Sequence, residues 1–258
     1  MPLRPLKDTP YLNKQRAIVA PWGAGKHGKT TFGMTFPEPI HYFNWNYGLE
    51  GMIEPFKDKW IEVAGVDRPD GSIGYGLNPM STKQDCIDML RVFKEDYTKS
   101  LVVCNAAAGT VIIDTGTQLW DTVMTAKLEE VRRRKYSKKK EEDVDFLSFD
   151  YGEANAEMFD IFGSPLQYPM LNAVYIHSAK DEYIGKDRSG RLTMDCWKGV
   201  INTAQVICQC QKVSDQEGTR FTLRLNFCRL ESSIEGLVLD EPTYEYLALA
   251  AGVTRPQG

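Results

Sequence analysis

The sequence predicts an α/β fold, in which a mainly parallel β-sheet is flanked by helices and C-terminal antiparallel β-hairpins follow. Three observations lead to this prediction. Residues Gly23–Thr30 fit the phosphate-binding pattern G-x-x-x-x-G-K-[ST] between a short apolar run and a short helical stretch. The run Thr110–Thr115 has the composition of a buried parallel strand that ends in an aspartate. Later segments such as Arg220–Phe227 alternate polar and apolar residues, as half-buried strands do.

Composition is that of an ordinary globular protein, with 258 residues, 42% hydrophobic and 26% charged. The formal net charge of −4 provides no overall basic field, so any contact with DNA requires a local patch. We see neither a secretory signal nor a run of transmembrane length, and we expect a cytoplasmic protein with no membrane partner. The six cysteines form no C-x-x-C pair, which favours small buried side chains over a zinc site.

The glycine-rich motif has the local context that phosphate binding requires. Ala17–Ala20 predicts a buried strand before it, and Thr31–Phe36 predicts two helical turns that Pro37 ends. Backbone N–H groups of the loop would point at an anion, Lys29 would reach the β- and γ-phosphates, and Thr30 would hold Mg²⁺. The residues expected around the nucleotide are Gly23, Ala24, Gly25, Lys26, His27, Gly28, Lys29, Thr30 and Thr31.

A second strand is expected at Ile40–Trp45, and a helix is expected to start at Ser81, whose side chain forms a capping box with Gln84. The apolar run Leu101–Cys104 fits either an extra strand or the end of that helix. Asp114 then ends the buried strand at its carboxyl edge, the Walker B arrangement, where it would bind Mg²⁺. The alternative for Asp114 is a helix N-cap or turn residue.

The one concentrated basic cluster follows an amphipathic helix predicted over Gln118–Arg134. It permits two interpretations: a solvated helix end paired with the acidic residues that follow, or a segment that faces nucleic acid. Its candidate nucleic-acid residues are Arg132, Arg133, Arg134 and Lys135. A further capping box, Asp150 with Glu153, predicts the next helix.

The last third of the chain predicts mainly strands. Ala173–Ser178 is a buried strand, and His177 and Ser178 at its end would sense the γ-phosphate or simply form local contacts. A hairpin with its turn at Asp187–Gly190 comes next, and its basic residues Lys186, Arg188 and Arg191 are candidates for nucleic-acid contact. The remaining predicted elements are strands at Ala204–Val213 and Arg220–Phe227, and a terminal helix at Pro242–Ala251.

The chain resembles the phage-encoded RecA-like ATPases of the Sak single-strand annealing group, which carry an AAA-type ATPase domain. The matching stretches are Ala17–Phe32, Tyr42–Gly51, Thr110–Trp120, Ala173–Tyr183 and Leu223–Leu247. The resemblance implies a RecA-like P-loop NTPase core that binds and hydrolyses ATP with Mg²⁺. It also implies a homo-oligomer, ring or filament, on single-stranded DNA in phage recombination or replication, with a single-strand-binding protein as a further partner.

The resemblance also implies particular residue roles. An acidic residue usually follows the second strand and orients the attacking water, but here Asn44 and Asn46 occupy the expected positions. An amide can orient water but cannot accept its proton, so turnover is in question, and Glu50 is the substitute. Arg229 is the candidate for insertion into a neighbouring subunit's ATP site, the alternative being a solvated strand end.

The expected organisation is an N-terminal arm over 1–15, a single ATPase domain over 16–251 and a tail over 252–258. Two excursions interrupt the domain, at 131–150 and 181–199. Two other functional readings stay open: a nucleotide-binding module that barely hydrolyses ATP and controls an oligomer or partner, and a structural protein whose glycine turn is incidental.

Overall fold

The computed structural model describes residues 15–46, 49, 52–67, 71–76, 81–137, 144–215 and 218–254. Most of the expected arm, most of the tail and Glu50 lie outside this part of the chain. None of the helices in the described part is long and apolar enough to cross a membrane.

The fold is mixed α/β. Its strands are β1 (Ile18–Gly23), β2 (Ile40–Asn44), β3 (Ile61–Ala64), β4 (Val66–Asp67), β5 (Ile73–Gly74), β6 (Thr110–Asp114), β7 (Asn172–Ile184), β8 (Asp187–Asp195), β9 (Val206–Asp215), β10 (Gly218–Cys228) and β11 (Val238–Asp240). Its helices are α1 (Lys29–Met34), α2 (Lys83–Ala106), α3 (Gly116–Lys135), α4 (Gly152–Gly163), α5 (Val200–Thr203) and α6 (Tyr244–Ala251).

The main sheet has the order β11-β10-β9-β1-β7-β6-β2-β3, and β8 pairs with β7 outside this path. The six strands from β9 to β3 in this order are parallel. Antiparallel pairs join β7 to β8, β9 to β10 and β10 to β11. The expected parallel core with late antiparallel hairpins is therefore present, with β7 lying between β1 and β6.

Helices cover both faces of this sheet, and each face has its own apolar core. Helices α2, α3 and α4 pack on one side, called here the α3 face, while α1 and α6 pack on the other, the α1 face. Successive strand residues alternate between the two, as in β7, where Tyr175 belongs to the α3 face and Ile176 to the α1 face. Alternation therefore decides which strand-end side chains can reach the glycine-rich loop before α1.

Both expected capping boxes need correction. Thr82, not Ser81, caps α2: its Oγ1 accepts a hydrogen bond from the Asp85 backbone N–H, and its own N–H donates to the Asp85 carboxylate at 2.6 Å. Asp85 is the better reciprocal partner because its carboxylate is charged. The run Leu101–Cys104 is the end of α2 rather than a strand.

The second box fails because Asp150 lies in a 3-10 turn, Ser148–Tyr151, ahead of α4. Its carboxylate accepts hydrogen bonds from Lys135 and from the Leu147 backbone N–H instead of capping α4. Asp150 therefore caps the 3-10 turn and pairs with Lys135 of the preceding helix, and no side chain caps α4.

Two strand predictions also need correction. The hairpin between β7 and β8 turns at Gly185–Lys186, where Gly185 has a φ of 68°, and Asp187–Gly190 is part of β8. A two-residue turn with a left-handed glycine closes the ribbon without splaying its strands. β3 was not predicted as a strand, because its short run is only partly buried at the sheet edge beside β2.

Candidate functional site

The candidate site lies where the parallel strands β1, β7, β6 and β2 end. Gly23 of β1 pairs with Ser178 of β7, and Asp114 of β6 pairs with Ile176 of β7 and with Asn44 of β2. The carboxyl ends of these strands therefore meet at one edge of the sheet, the usual place for ligands in such folds.

The loop between β1 and α1 depends on two of its glycines. A Cβ on Gly23 would lie 2.4 Å from the carbonyl oxygen of Cys210, so only glycine fits against β9 there. Gly28 has a φ of 79°, and a Cβ on it would lie 2.9 Å from the Phe221 ring. No side chain caps α1, so no cap competes with an anion for the N–H groups of its first turn.

Lys29 is folded back onto this loop. Its Nζ donates hydrogen bonds to the carbonyl oxygens of Gly23 at 2.9 Å and Ala24 at 2.6 Å. Burial lowers the pKa of Lys29, an effect that the nearby Cys210 and Asp114 oppose. The ammonium is therefore held at the loop, where a phosphate would give it a stronger partner than two carbonyls.

Asp114 is 1% exposed and accepts three side-chain hydrogen bonds. Thr30 Oγ1 and Tyr42 Oη donate to Oδ2 at 2.7 and 2.6 Å, and Asn46 Nδ2 donates to Oδ1 at 3.1 Å. Burial raises the pKa of Asp114, while the hydrogen bonds from Tyr42 and Thr30, the charge of Lys29 and the Asn46 amide act against that rise.

The donor set of this cluster suits Mg²⁺. The Thr30 hydroxyl and the Asp114 carboxylate are hard oxygen ligands 2.7 Å apart, beside the phosphate-binding loop. Thr30 and Asp114 are the residues that would hold the ion, directly or through water. When bound, Mg²⁺ neutralises the charge that develops on the phosphate oxygens.

The two asparagines at the end of β2, Asn44 and Asn46, have different surroundings. Asn46 donates its amide to Asp114, so this nitrogen is directed at the aspartate. Asn44 is buried, and its side-chain amide donates to the Ile73 carbonyl oxygen at 2.8 Å. Its backbone carbonyl oxygen accepts a hydrogen bond from the Tyr75 N–H. Asn44 thus attaches β5 to the sheet. Glu50, the expected substitute for the acidic residue, lies outside the described residues.

His177 lies away from the loop. Its ring is fully buried on the α3 face and stacks on Phe162, with ring centroids 6.0 Å apart. Burial lowers its pKa to about 3. Strand alternation places the half-buried Ser178 on the α1 face instead, next to Gly23. The placement of His177 gives no support to a contact with a γ-phosphate.

Arg229 lies at the opposite edge of the sheet from Lys29. It follows β10, which runs antiparallel to β9, and its backbone N–H bonds to Gln205 just before β9. Its guanidinium is exposed, contacts the carbonyl oxygens of Ile201 and Asn202 at 3.3 Å, and lies over Phe227. Within one chain it cannot reach the loop, so its expected role concerns a neighbouring subunit only.

The basic cluster at the end of α3 is engaged in ion pairs. Arg132 and Arg133 both donate to Glu129, Arg134 pairs with Glu153, and Lys135 donates to Asp150 at 2.8 Å. These pairs come mainly from α3 itself and the start of α4. The acidic residues that directly follow the cluster, 141–143, lie outside the described residues, so the expected pairing with them stays a prediction.

The basic residues of the β7–β8 hairpin are more open. Arg188 pairs with Asp181 at 3.0 Å, whereas the side chains of Lys186 and Arg191 have no ion-pair partner among the described residues. Tyr183 and Ile184 are exposed on the same ribbon.

Sequence reasoning missed Tyr42. The available signal was a tyrosine inside an otherwise apolar strand, because a buried tyrosine hydroxyl needs a hydrogen-bond partner. Which partner it takes depends on the pairing of β2 with β6, which the sequence does not give.

The site combines a glycine-rich loop between β1 and α1 with an acidic residue at the end of β6, the two parts that nucleotide-binding P-loop sites share. No protein-family model and no curated protein matches the chain. Solved structures that match include a KaiC-like protein from the hyperthermophilic archaeon Pyrococcus horikoshii OT3, at 11% identity. The match covers 87% of this chain and 84% of that chain, with a TM-score of 0.41.

Proposed function

We propose that this protein binds Mg²⁺–ATP and hydrolyses it. The observation that carries the proposal is the contact between Thr30 and Asp114, 2.7 Å, beside the loop that holds Lys29. Motif residues 84 positions apart in sequence meet with the oxygen ligands and the ammonium that a nucleotide with its metal requires.

The proposed class is a RecA-like ATPase. It is supported by the sheet order, in which β7 separates the P-loop strand β1 from the Walker B strand β6, and by the antiparallel strands that follow. The resemblance to the Sak group, and with it a role in phage recombination or replication, remains part of the proposal.

Single-stranded DNA is the proposed partner, and the β7–β8 hairpin is the proposed contact. Lys186 and Arg191 supply positive charge without described ion-pair partners, and the exposed Tyr183 offers a ring on which a base can stack. The hairpin is a better candidate than the end of α3, because the cations described there, Arg132, Arg133, Arg134 and Lys135, each pair with a carboxylate.

The proposed ATPase also forms a homo-oligomer, in which Arg229 would reach the nucleotide of a neighbouring subunit. Its exposure and its position far from its own loop are compatible with a contact made between subunits.

A hydrolysis-impaired nucleotide module is the second candidate, and one observation favours it. Asn46 donates its amide nitrogen to Asp114, and an amide has no group that could take a proton from an attacking water. In that case ATP would control oligomer or partner binding with little turnover.

The deciding experiment measures ATP hydrolysis with and without single-stranded DNA, on the parent protein and on Lys29→Ala. We expect slow turnover that DNA accelerates and that Lys29→Ala abolishes. Lys26→Ala is the matched control, because it removes an exposed lysine from the same loop and keeps the backbone N–H groups. Tight Mg²⁺–ATP binding without turnover would select the second candidate, and no nucleotide binding would reject both.

A second experiment tests the proposed contact between the β7–β8 hairpin and single-stranded DNA. Lys186→Glu with Arg191→Glu should remove the stimulation by DNA and leave the turnover without DNA unchanged. Equal stimulation in the parent and the double variant would exclude the hairpin as the contact.

A further inference from the structure

Asp114 is held by partners that its metal-binding role does not itself require. Besides Thr30, it contacts Tyr42 from the neighbouring strand β2 and Asn46 from the segment just beyond that strand. Tyr42 is 0% exposed, and its hydroxyl donates to Asp114 at 2.6 Å.

The three donors divide between the two carboxylate oxygens. Tyr42 and Thr30 share Oδ2, whereas Asn46 donates to Oδ1. Contacts from both sides prevent the carboxylate from rotating about its Cβ–Cγ bond, since rotation would break at least one of them. A carboxylate buried to this degree also needs such donors to offset the loss of water.

We infer that Tyr42 and Asn46 are positioning residues, which hold the Asp114 carboxylate in the orientation that a magnesium ion beside Thr30 requires. The inference rests on the proposed nucleotide function of this site. Partners of this kind, which bind a metal ligand rather than the metal, typically change metal affinity by about 10- to 100-fold when they are removed.

The same geometry explains why residue 46 is an asparagine. Its amide nitrogen donates a hydrogen bond to Asp114 at 3.1 Å, and an acidic side chain at position 46 would instead place a second negative charge beside the first. Asparagine at this position is thus suited to orienting the aspartate.

The test measures how much Mg²⁺ is needed for binding of a fluorescent ADP analogue, with the analogue's affinity in EDTA as the reference. Tyr42→Phe should raise the Mg²⁺ concentration at half-maximal binding about 10-fold or more and leave the affinity in EDTA unchanged. Asn46→Ala should shift it in the same direction. Mn²⁺ bound with ADP, followed by electron paramagnetic resonance, gives a second readout that does not depend on turnover.

Tyr175→Phe is the matched control. Tyr175 is also fully buried, and its hydroxyl donates to the Phe162 carbonyl oxygen at 3.0 Å on the α3 face, away from Asp114. This variant should lose similar stability and keep the parent's Mg²⁺ requirement.

Two results would overturn the inference. If Tyr42→Phe is folded and has the same Mg²⁺ requirement as the parent, Tyr42 only fills the core. If the parent itself binds no nucleotide in Mg²⁺, the proposed function fails first and takes this inference with it.

Discussion

Replacing His177 tests whether this residue belongs to the core or to the phosphate site. Its ring is fully buried, stacks on Phe162 and has no hydrogen-bond partner for either nitrogen among the described residues. A Cβ on Gly116 would lie 2.5 Å from its Cε1, so the ring is packed tightly. Such an imidazole must stay neutral while the protein is folded.

The size of the effect follows from the pKa. Burial lowers the pKa of His177 to about 3, with the charge of Asp195 opposing that change, whereas an unfolded histidine titrates near 6.5. The unfolded chain therefore binds the proton first as pH falls, so stability is full above pH 6.5 and decreases from there toward pH 3. The loss is about 1.36 kcal/mol per pH unit, hence about 2 kcal/mol at pH 5.

The assay is urea unfolding of the parent and of His177→Leu at pH 7 and pH 5. The variant should lose about 2 kcal/mol less than the parent between these two values, whatever its stability at pH 7. Phe162→Leu is the control, because it alters the same packing without removing a titrating group, and it should keep the parent's pH dependence.

An identical pH dependence in His177→Leu and the parent would refute the buried placement. Loss of ATP turnover at unchanged stability and unchanged nucleotide binding would point instead to the phosphate-sensing role that the sequence suggests.

Two other predictions concern the loop and the carboxylate. Asn46→Asp should lower the free energy of unfolding by about 2–4 kcal/mol in EDTA, because like charges would face each other near 3 Å, and added Mg²⁺ should restore much of it. In EDTA, Asn46→Ala should cost about 1 kcal/mol, less than Asn46→Asp. If Mg²⁺ does not change the free energy of unfolding of Asn46→Asp in urea, the placement of residue 46 beside Asp114 is contradicted. Gly28→Ala should destabilise by about 1–3 kcal/mol, since its φ of 79° and the Phe221 ring disfavour a Cβ. Gly25→Ala, whose Cβ would meet nothing within 4 Å, should stay close to the parent in thermal melting.

Much of the fold was predictable from local patterns. The apolar strands, the glycine-rich loop and the strand that ends at Asp114 are encoded by residues close together in sequence, and the structure contains each of them. The hairpin turn was misplaced because both Gly185 and Gly190 have positive φ, and only strand pairing decides which one closes the ribbon.

The sequence by itself determined that Lys29, Thr30 and Asp114 belong to one kind of site, because each sits in a short motif whose chemistry is local. Tertiary structure alone decided the surroundings of these residues. It placed Tyr42 and Asn46 in contact with Asp114, and it placed His177 in the core on the α3 face. Strand order and the alternation of side chains along each strand determine which side chains face each other. Contacts of that kind join residues far apart in the chain, so they depend on the packing of the whole sheet rather than on any one stretch of sequence.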